Sequence, residues 1–151
     1  MAITQAMTTS FKVEILDGVH NFGSGVVRAT TAADVFKLAL YTSSATLGAS
    51  TTAYSAADEV SSSGTNYTAG GLTLTISQAP TFTSTTAWLD FDDLTFPSAT
   101  LTANGALIYN ATQGNKAVAV LAFGGDKTST AGNFTIQFPA PTSTTAILRI
   151  A

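Results

Sequence analysis

The chain of 151 residues has the length of one domain, and only 10% of its residues are charged, against about 25% in an average soluble protein. Six Lys and Arg are scattered along a chain of net charge −3, so the sequence has no basic run of the kind that binds nucleic acid. The absence of cysteine excludes disulfides, thiol catalysis and thiolate metal sites. We also expect no secretory leader, because the start lacks a basic segment followed by an apolar run, and no membrane span, because no apolar run approaches roughly 20 residues.

Residues 1–24 differ in pattern from the rest of the chain. Apolar residues recur there at near-helical spacing: Phe11, Ile15, Leu16 and Val19. Ser10 is a candidate N-cap and Gly18 a candidate stop, which predicts a short helix, although β-branched residues also permit an extended arm. The sequence therefore predicts an N-terminal arm or helix over 1–24, followed by a second unit over 25–151.

The second unit has the pattern of β-structure. Alternating or short apolar runs predict seven strands: 35–42, 72–77, 86–91, 100–110, 116–123, 133–138 and 146–150. This spacing, without a βαβ rhythm, predicts an all-β fold, an antiparallel β-sandwich of about seven strands. The expected core is Phe36, Leu38, Leu40, Leu74, Leu89, Leu107, Val118, Val120, Phe134 and Ile136.

A hairpin over 104–126 is expected at the centre of the sandwich. Both faces of its two strands are apolar, which favours burial on two sides. Val118 and Val120 are predicted to share one face, opposite Ala117 and Ala119. The Gly-rich segment 124–133 is predicted as a turn-rich return between separate strands.

The segment 43–71 is a long excursion of Ser, Thr, Ala and Gly. Loops of this length in a compact domain are usually functional or interfacial, so we expect partner contacts there and in residues 1–24. Surfaces of such composition also lose little side-chain entropy when covered. The candidate assembly contacts are Phe11, Ile15, Leu16, Tyr54 and Tyr67. For Phe11, Ile15 and Leu16 the alternative is burial against the sheet of their own chain.

Residues with catalytic or ligand-binding chemistry are few. His20 is the single histidine and has no neighbouring residue that would make a triad or a metal site. Asp90, Asp92 and Asp93 form the one acidic cluster, but they lack the ligand spacing of a calcium loop and are interpreted as a solvated turn. We therefore expect no enzymatic activity, no cofactor and no metal.

Several stretches of the chain resemble a family of small structural proteins encoded by tailed bacteriophages. They are FKLALYTSSATLGASTTAY (36–54), YTAGGLTLT (67–75), TAWLDFDDLTF (86–96), GALIYNATQGNKAVAVLAFGGDKTSTAGNFTIQFP (105–139) and AILRIA (146–151). The opening MAITQAMTTSFK and the later GVHNF are similar to the family's start as well. The resemblance is collinear and runs over most of the chain.

The resemblance implies a virion structural protein, made in the host cytoplasm and located in the virion. It implies a capsid cement or decoration protein that binds the major capsid protein or other virion proteins and stabilises the head. The alternative is a tail or fibre component that contacts other tail proteins or host glycans. A homo-oligomer is expected, a trimer if the protein decorates an icosahedral lattice, because closed rotational symmetry matches lattice symmetry.

Overall fold

The computed structural model describes residues 2–16, 19–23 and 33–150. Its described part contains one helix and eight strands. They are β1 (Ala6–Met7), α1 (Thr9–Leu16), β2 (Phe36–Tyr41), β3 (Leu72–Thr73), β4 (Ile76–Thr83), β5 (Thr86–Phe91), β6 (Leu94–Asn110), β7 (Lys116–Ile136) and β8 (Leu148–Ile150). The fold is all-β and sandwich-like, as predicted.

The strands form two antiparallel sheets. The large sheet has the order β1-β7-β6-β2-β3 and the small sheet the order β4-β5-β8. Leu89 and Leu148 of the small sheet share a hydrophobic core with Leu38 and Ile108 of the large sheet. The predicted core residues are all buried: Phe36, Leu38, Leu40, Leu74, Leu89, Leu107, Val118, Val120, Phe134 and Ile136.

The hairpin of β6 and β7 is covered on both faces, as its two apolar patterns indicated. Ala106 and Ile108 lie in the core shared with the small sheet, whereas Leu107 and Tyr109 belong to a second cluster on the opposite face. Fully buried side chains on both faces make this hairpin the centre of the fold.

The predicted face assignment in β7 is wrong at one point. The register shifts from Ile108↔Ala119 to Tyr109↔Ala117, so one extra residue, Val118, is inserted into β7. Such a bulge resets the alternation of side chains. Val118 consequently packs in the shared core, and Val120 packs in the second cluster on the other face.

The predicted turn-rich return at 124–133 is also wrong, because β7 continues through it to Ile136. The pairing passes from Gly105↔Ala122 to Ala103↔Lys127, which leaves residues 123–126 as a wide irregularity within the strand. Gly124 and Gly125 have positive φ angles of 71° and 137° there. The glycines therefore mark a distortion of one long strand and not a chain reversal.

The N-terminal segment is helical at Thr9–Leu16, as the apolar spacing indicated. The N-cap is Thr8 and not Ser10: the backbone N–H of Phe11 donates to Thr8 Oγ1 over 3.3 Å. The predicted stop at Gly18 lies outside the described residues. β1 pairs with β7 at Ala6↔Val120, so residues 6–7 form one edge of the large sheet.

Candidate functional site

The loop of residues 43–71 lies over the outer face of the large sheet. Ala45, Leu47 and Tyr54 pack against the second hydrophobic cluster of the hairpin. Backbone hydrogen bonds fasten the loop along its length, including Tyr54 N to Asn115 O (2.9 Å) and Val60 N to Leu40 O (2.9 Å). The loop is therefore a packed cover of the sheet.

Glu59 organises this loop from its centre. Its Oε1 accepts hydrogen bonds from the Tyr67 hydroxyl (2.6 Å) and from Gly70 N–H (2.7 Å), and its Oε2 accepts one from the Tyr54 hydroxyl (2.7 Å). Three parts of the loop thereby converge on one carboxylate. Hydrogen bonds to a charged acceptor are stronger than those between neutral groups, so Glu59 is the main polar anchor of the loop.

All four tyrosines of the chain surround Glu59. The Tyr41 hydroxyl donates to Ser55 O (2.6 Å), and the Tyr109 hydroxyl donates to Gly70 O (2.7 Å). The rings of Tyr54 and Tyr109 stack with centroids 4.8 Å apart. We call these five residues the Glu59–tyrosine cluster: Tyr41, Tyr54, Glu59, Tyr67 and Tyr109.

The cluster disfavours ionised tyrosine. Burial, with added contributions from the hydrogen bond to Glu59 and its charge, raises the pKa of Tyr54 and of Tyr67 well above the usual range. Burial and the charge of Glu59 raise the pKa of Tyr109 as well, and burial is the largest cause for Tyr41. Protonated hydroxyls are the donors that a carboxylate acceptor requires, so the electrostatics and the geometry agree.

Most of the predicted contact residues with described side chains make contacts within their own chain. Tyr54 and Tyr67 belong to the Glu59–tyrosine cluster. Phe11 is 2% exposed and lies in the shared core, where its ring centroid is 4.8 Å from that of His20. Ile15 is half-buried against the same core. The side chain of Leu16 lies outside the described part of the chain.

The exposed side of the β6–β7 hairpin is a surface of threonines. We call it the threonine surface and define it by Thr95, Thr100, Thr102, Thr128, Thr130 and Thr135. Two cross-strand pairs join their hydroxyls over 2.9 Å, Thr95 with Thr135 and Thr102 with Thr128. Thr100 Oγ1 accepts a hydrogen bond from Ala131 N–H (2.9 Å). Most of these threonine hydroxyls thus already have a hydrogen-bond partner within the surface.

The loop of 43–71 adjoins the threonine surface. Thr100 N–H donates to Thr65 O (2.9 Å), and a shallow groove of about 320 Å³ runs between Ser61 and Thr65 of the loop and Thr102 and Thr128 of the hairpin. The predicted partner-contact loop and the threonine surface therefore form one continuous, hydroxyl-rich area.

A separate apolar cleft lies between α1 and the small sheet. Its volume is about 180 Å³, and its walls include Phe11, Ile15, Phe22, Ala87, Leu89 and Leu148. His20 is the one titratable residue in its described lining. The cleft is an opening of the shared core between the helix and the small sheet.

A row of exposed apolar residues borders this cleft. Phe82 pairs with Ala87 across β4 and β5, and Ala87 pairs with Ile150 across β5 and β8. Directly paired residues share a face of the sheet, so the three side chains lie side by side. Phe82 is 75% and Ile150 51% exposed. We call Phe82, Ala87 and Ile150 the apolar lip.

The acidic cluster is divided by the fold. Asp92 and Asp93 are exposed, and Asp93 Oδ1 accepts a hydrogen bond from Phe138 N–H (2.8 Å). Asp90 is buried, its Oδ1 accepts from Phe91 N–H (2.9 Å), and burial raises its pKa. The interpretation as a solvated turn is therefore wrong for Asp90. Among the residues with described side chains, no three of His, Asp and Glu come together in a way that would hold a metal ion.

His20 belongs to a buried polar network at the end of the hairpin. Asn110 Nδ2 donates to Asp34 Oδ2 (2.8 Å) and lies 3.0 Å from His20 Nδ1, which accepts because an amide nitrogen only donates. Asn110 Oδ1 accepts from Thr112 N–H and Gln113 N–H, both at 3.1 Å. The network fixes the hairpin turn and the N-terminal segment against each other. The sequence alone did not indicate that His20, Asp34 and Asn110, which lie far apart along the chain, would meet in one network.

Sequence reasoning also missed Glu59 and Phe82. Glu59 is the only glutamate after residue 14 and lies in a charge-poor tract between two tyrosines, which is an indication of a polar anchor. Phe82 is a lone aromatic residue between threonines at a turn, which is an indication of an exposed apolar contact.

No described helix has the length and apolar character that a membrane crossing requires. Comparison of the chain with protein-family models, with curated proteins and with solved structures returned no match.

Proposed function

We propose that this chain is a structural protein of a tailed-bacteriophage particle and that it binds the coat lattice as a capsid cement. The observation that carries the proposal is the threonine surface together with the adjoining loop. The bacteriophage assignment rests on the sequence resemblance, and the adhesive role rests on the physical properties of this surface.

The threonine surface is suited to being covered by another protein. A buried hydroxyl without a partner is costly, but the pairs Thr95–Thr135 and Thr102–Thr128 keep their hydrogen bonds when water is removed. Threonine also loses less side-chain entropy on burial than Lys, Glu or Arg. A partner can therefore cover this surface with a small desolvation cost.

A lattice provides many equivalent binding positions, which compensates for the weakness of each single contact. The surface holds no large exposed aromatic anchor, so one copy gains little binding energy from it. A cement protein binds at many equivalent positions, and a copy that contacts two neighbouring coat subunits gains from the high effective concentration of the second contact. Weak and repeated contacts then stabilise the head.

The test of particle membership is the number of copies in purified particles of the phage that encodes the chain, measured by quantitative mass spectrometry. Hundreds of copies per particle support the cement role. A handful to tens of copies would support the tail or fibre alternative instead. Absence of the chain from purified particles would overturn the proposal.

The adhesive surface is tested by placing a charge on it. Thr102→Lys breaks one hydroxyl pair and adds an ammonium group that the coat would have to desolvate, so we expect at least a tenfold loss of copies per particle. Thr85→Lys adds the same charge at an exposed position in the β4–β5 turn, outside both the threonine surface and the loop of 43–71, and serves as the matched control. Equal loading of the two variants would place the contact elsewhere on the molecule.

A further inference from the structure

We propose that two copies of this chain associate about a two-fold axis, with Phe82 of each copy inserted into the apolar cleft of the other. The inference concerns the chain alone in solution and does not depend on the proposed role in a particle. It rests on a protruding side chain and a matching cleft that lie next to each other on the same molecule.

The cleft has the size of one side chain. Its volume of about 180 Å³ is below the range of about 300–1,000 Å³ typical of small-molecule sites. Its walls are largely apolar, with Phe11, Ile15 and Leu89 among them. A single large apolar side chain is the group that this cleft can enclose.

Phe82 is the protruding group. It is 75% exposed near the end of the β4–β5 hairpin, although a phenylalanine offers one of the largest apolar surfaces of any side chain. Its cross-strand partner Ala87 lines the cleft, so Phe82 lies at the edge of the opening, on the same face of the sheet. Two copies placed face to face can therefore fill both clefts in one contact.

The lack of charged side chains in the described cleft lining favours a second copy of the chain as the occupant of the cleft. In a two-fold contact the residues near the axis lie close to their own symmetry mates, so a charge at the centre of the contact would be repelled by the same charge on the other copy. The described cleft lining and the apolar lip contain no Lys, Arg, Asp or Glu. The neighbouring Arg149 donates to Thr144 O over 2.6 Å, which engages its guanidinium within its own chain.

The mode of contact is side-chain insertion and not strand addition. The exposed edge strand β4 contains Pro80, which has no N–H to donate, and its pairing with β5 shifts register twice. These features hinder a neighbouring strand from joining the small sheet. The apolar lip, on the face of the sheet that lines the cleft, remains accessible.

The contact between the two copies is small, so we expect it to be weak. The apolar lip exposes a few hundred Å² at most, whereas a stable interface buries roughly 800 Å² on each partner. We therefore expect a weak pair that forms at high concentration, and not the trimer that lattice symmetry suggested.

Intermolecular paramagnetic relaxation in NMR detects such a weak pair. The chain has no cysteine, so Thr85→Cys at the exposed β4–β5 turn carries a single spin label. Labelled copies are mixed at millimolar concentration with ¹⁵N copies that carry no spin label. We expect broadening of the ¹⁵N amides at Leu89, Leu148 and Ile150, and sedimentation equilibrium should fit a monomer–dimer scheme.

Two variants separate the protruding group from the cleft. Phe82→Ser removes the side chain but leaves the cleft, and Ala87→Leu fills the opening but leaves Phe82. Spin-labelled Ala87→Leu with ¹⁵N Phe82→Ser keeps one complete contact, so broadening should persist. Spin-labelled Phe82→Ser with ¹⁵N Phe82→Ser lacks the protruding group in both copies and has no complete contact, so broadening should fall at least tenfold.

The control is Val35→Ser, which removes a different exposed apolar side chain, 46% exposed, and should leave the broadening unchanged. Thermal melting of each variant checks that it is folded. The proposal is overturned if millimolar wild-type protein shows no intermolecular broadening, if the two mixtures give equal broadening, or if sedimentation fits a trimer.

Discussion

The Tyr67 hydroxyl donates a hydrogen bond to Glu59 Oε1 over 2.6 Å and at the same time accepts one from the backbone N–H of Leu40 (3.0 Å). This single hydroxyl joins the loop of 43–71 to Leu40, near the end of strand β2. The connection adds to the apolar packing and the backbone hydrogen bonds that hold this long segment of Ser, Thr, Ala and Gly over the sheet.

Glu59→Gln should destabilise the fold by about 2 kcal/mol, because hydrogen bonds to a charged acceptor are replaced by weaker ones and one amide N–H then faces a hydroxyl donor. The measurement is urea unfolding at neutral pH. Asp58→Asn is the matched control, since Asp58 is exposed and its φ of 61° suits asparagine. Equal stability of the two variants would show that the Glu59–tyrosine cluster does not anchor the loop.

The four tyrosines should not titrate near pH 10 while the protein is folded. Each has a raised pKa, so the folded state keeps protons that the unfolded state releases above about pH 10. Their contribution to stability is complete below that pH and is lost as the pH rises further. Tyrosinate absorbance should therefore appear only with alkaline unfolding. A reversible titration with a midpoint near 10 in folded protein would contradict the described cluster.

Asp90→Asn should change how stability depends on pH. Burial raises the pKa of Asp90, so the folded state binds this proton more tightly than the unfolded state does. Wild-type stability, measured relative to the neutral variant, should therefore be greatest below about pH 4 and fall as the pH rises toward neutrality. Urea unfolding across this range is the measurement. Asp92→Asn, which removes an exposed charge nearby, corrects for the change in net charge. A relative stability that rises with pH would contradict a raised pKa for Asp90.

Gly71→Ala should prevent folding or cost several kcal/mol, because the added Cβ would overlap the backbone carbonyl of Leu38 in strand β2. Gly64→Ala is a close control: both glycines have φ of 71°, but nothing lies within 4 Å of a Cβ at Gly64. The control should cost only about 1 kcal/mol for the left-handed backbone. Thermal melting of both variants separates backbone strain from the steric overlap, and equal melting temperatures would contradict the close approach of Gly71 to Leu38.

The sequence was a good guide to the parts of the fold that depend on local pattern. Alternation placed Phe36, Leu38 and Leu40 in the core, and the two apolar faces of the β6–β7 hairpin correctly indicated cover on both sides. The same patterns could not separate a turn from a bulge. Gly124 and Gly125 are suited to either, and only the continued pairing of β7 with β6 decides between them.

The candidate sites depended on contacts that local pattern does not contain. Glu59 meets Tyr54 and Tyr67 because the loop folds back on itself, and Phe82 is exposed near the end of the β4–β5 hairpin beside Ala87. The helical spacing of Phe11 was consistent with burial against a partner or against its own sheet, and Phe11 occupies a position in the core. Tertiary packing decided between these alternatives.

The cement role is tested most directly by the thermal stability of phage heads that lack the chain. Heads from a deletion mutant should release their genome at a lower temperature than wild-type heads. Purified wild-type chain, added back, should restore the wild-type release temperature, whereas Thr102→Lys should not. The cement role would be contradicted if heads without the chain were as stable as wild-type heads, or if the purified chain did not bind to them.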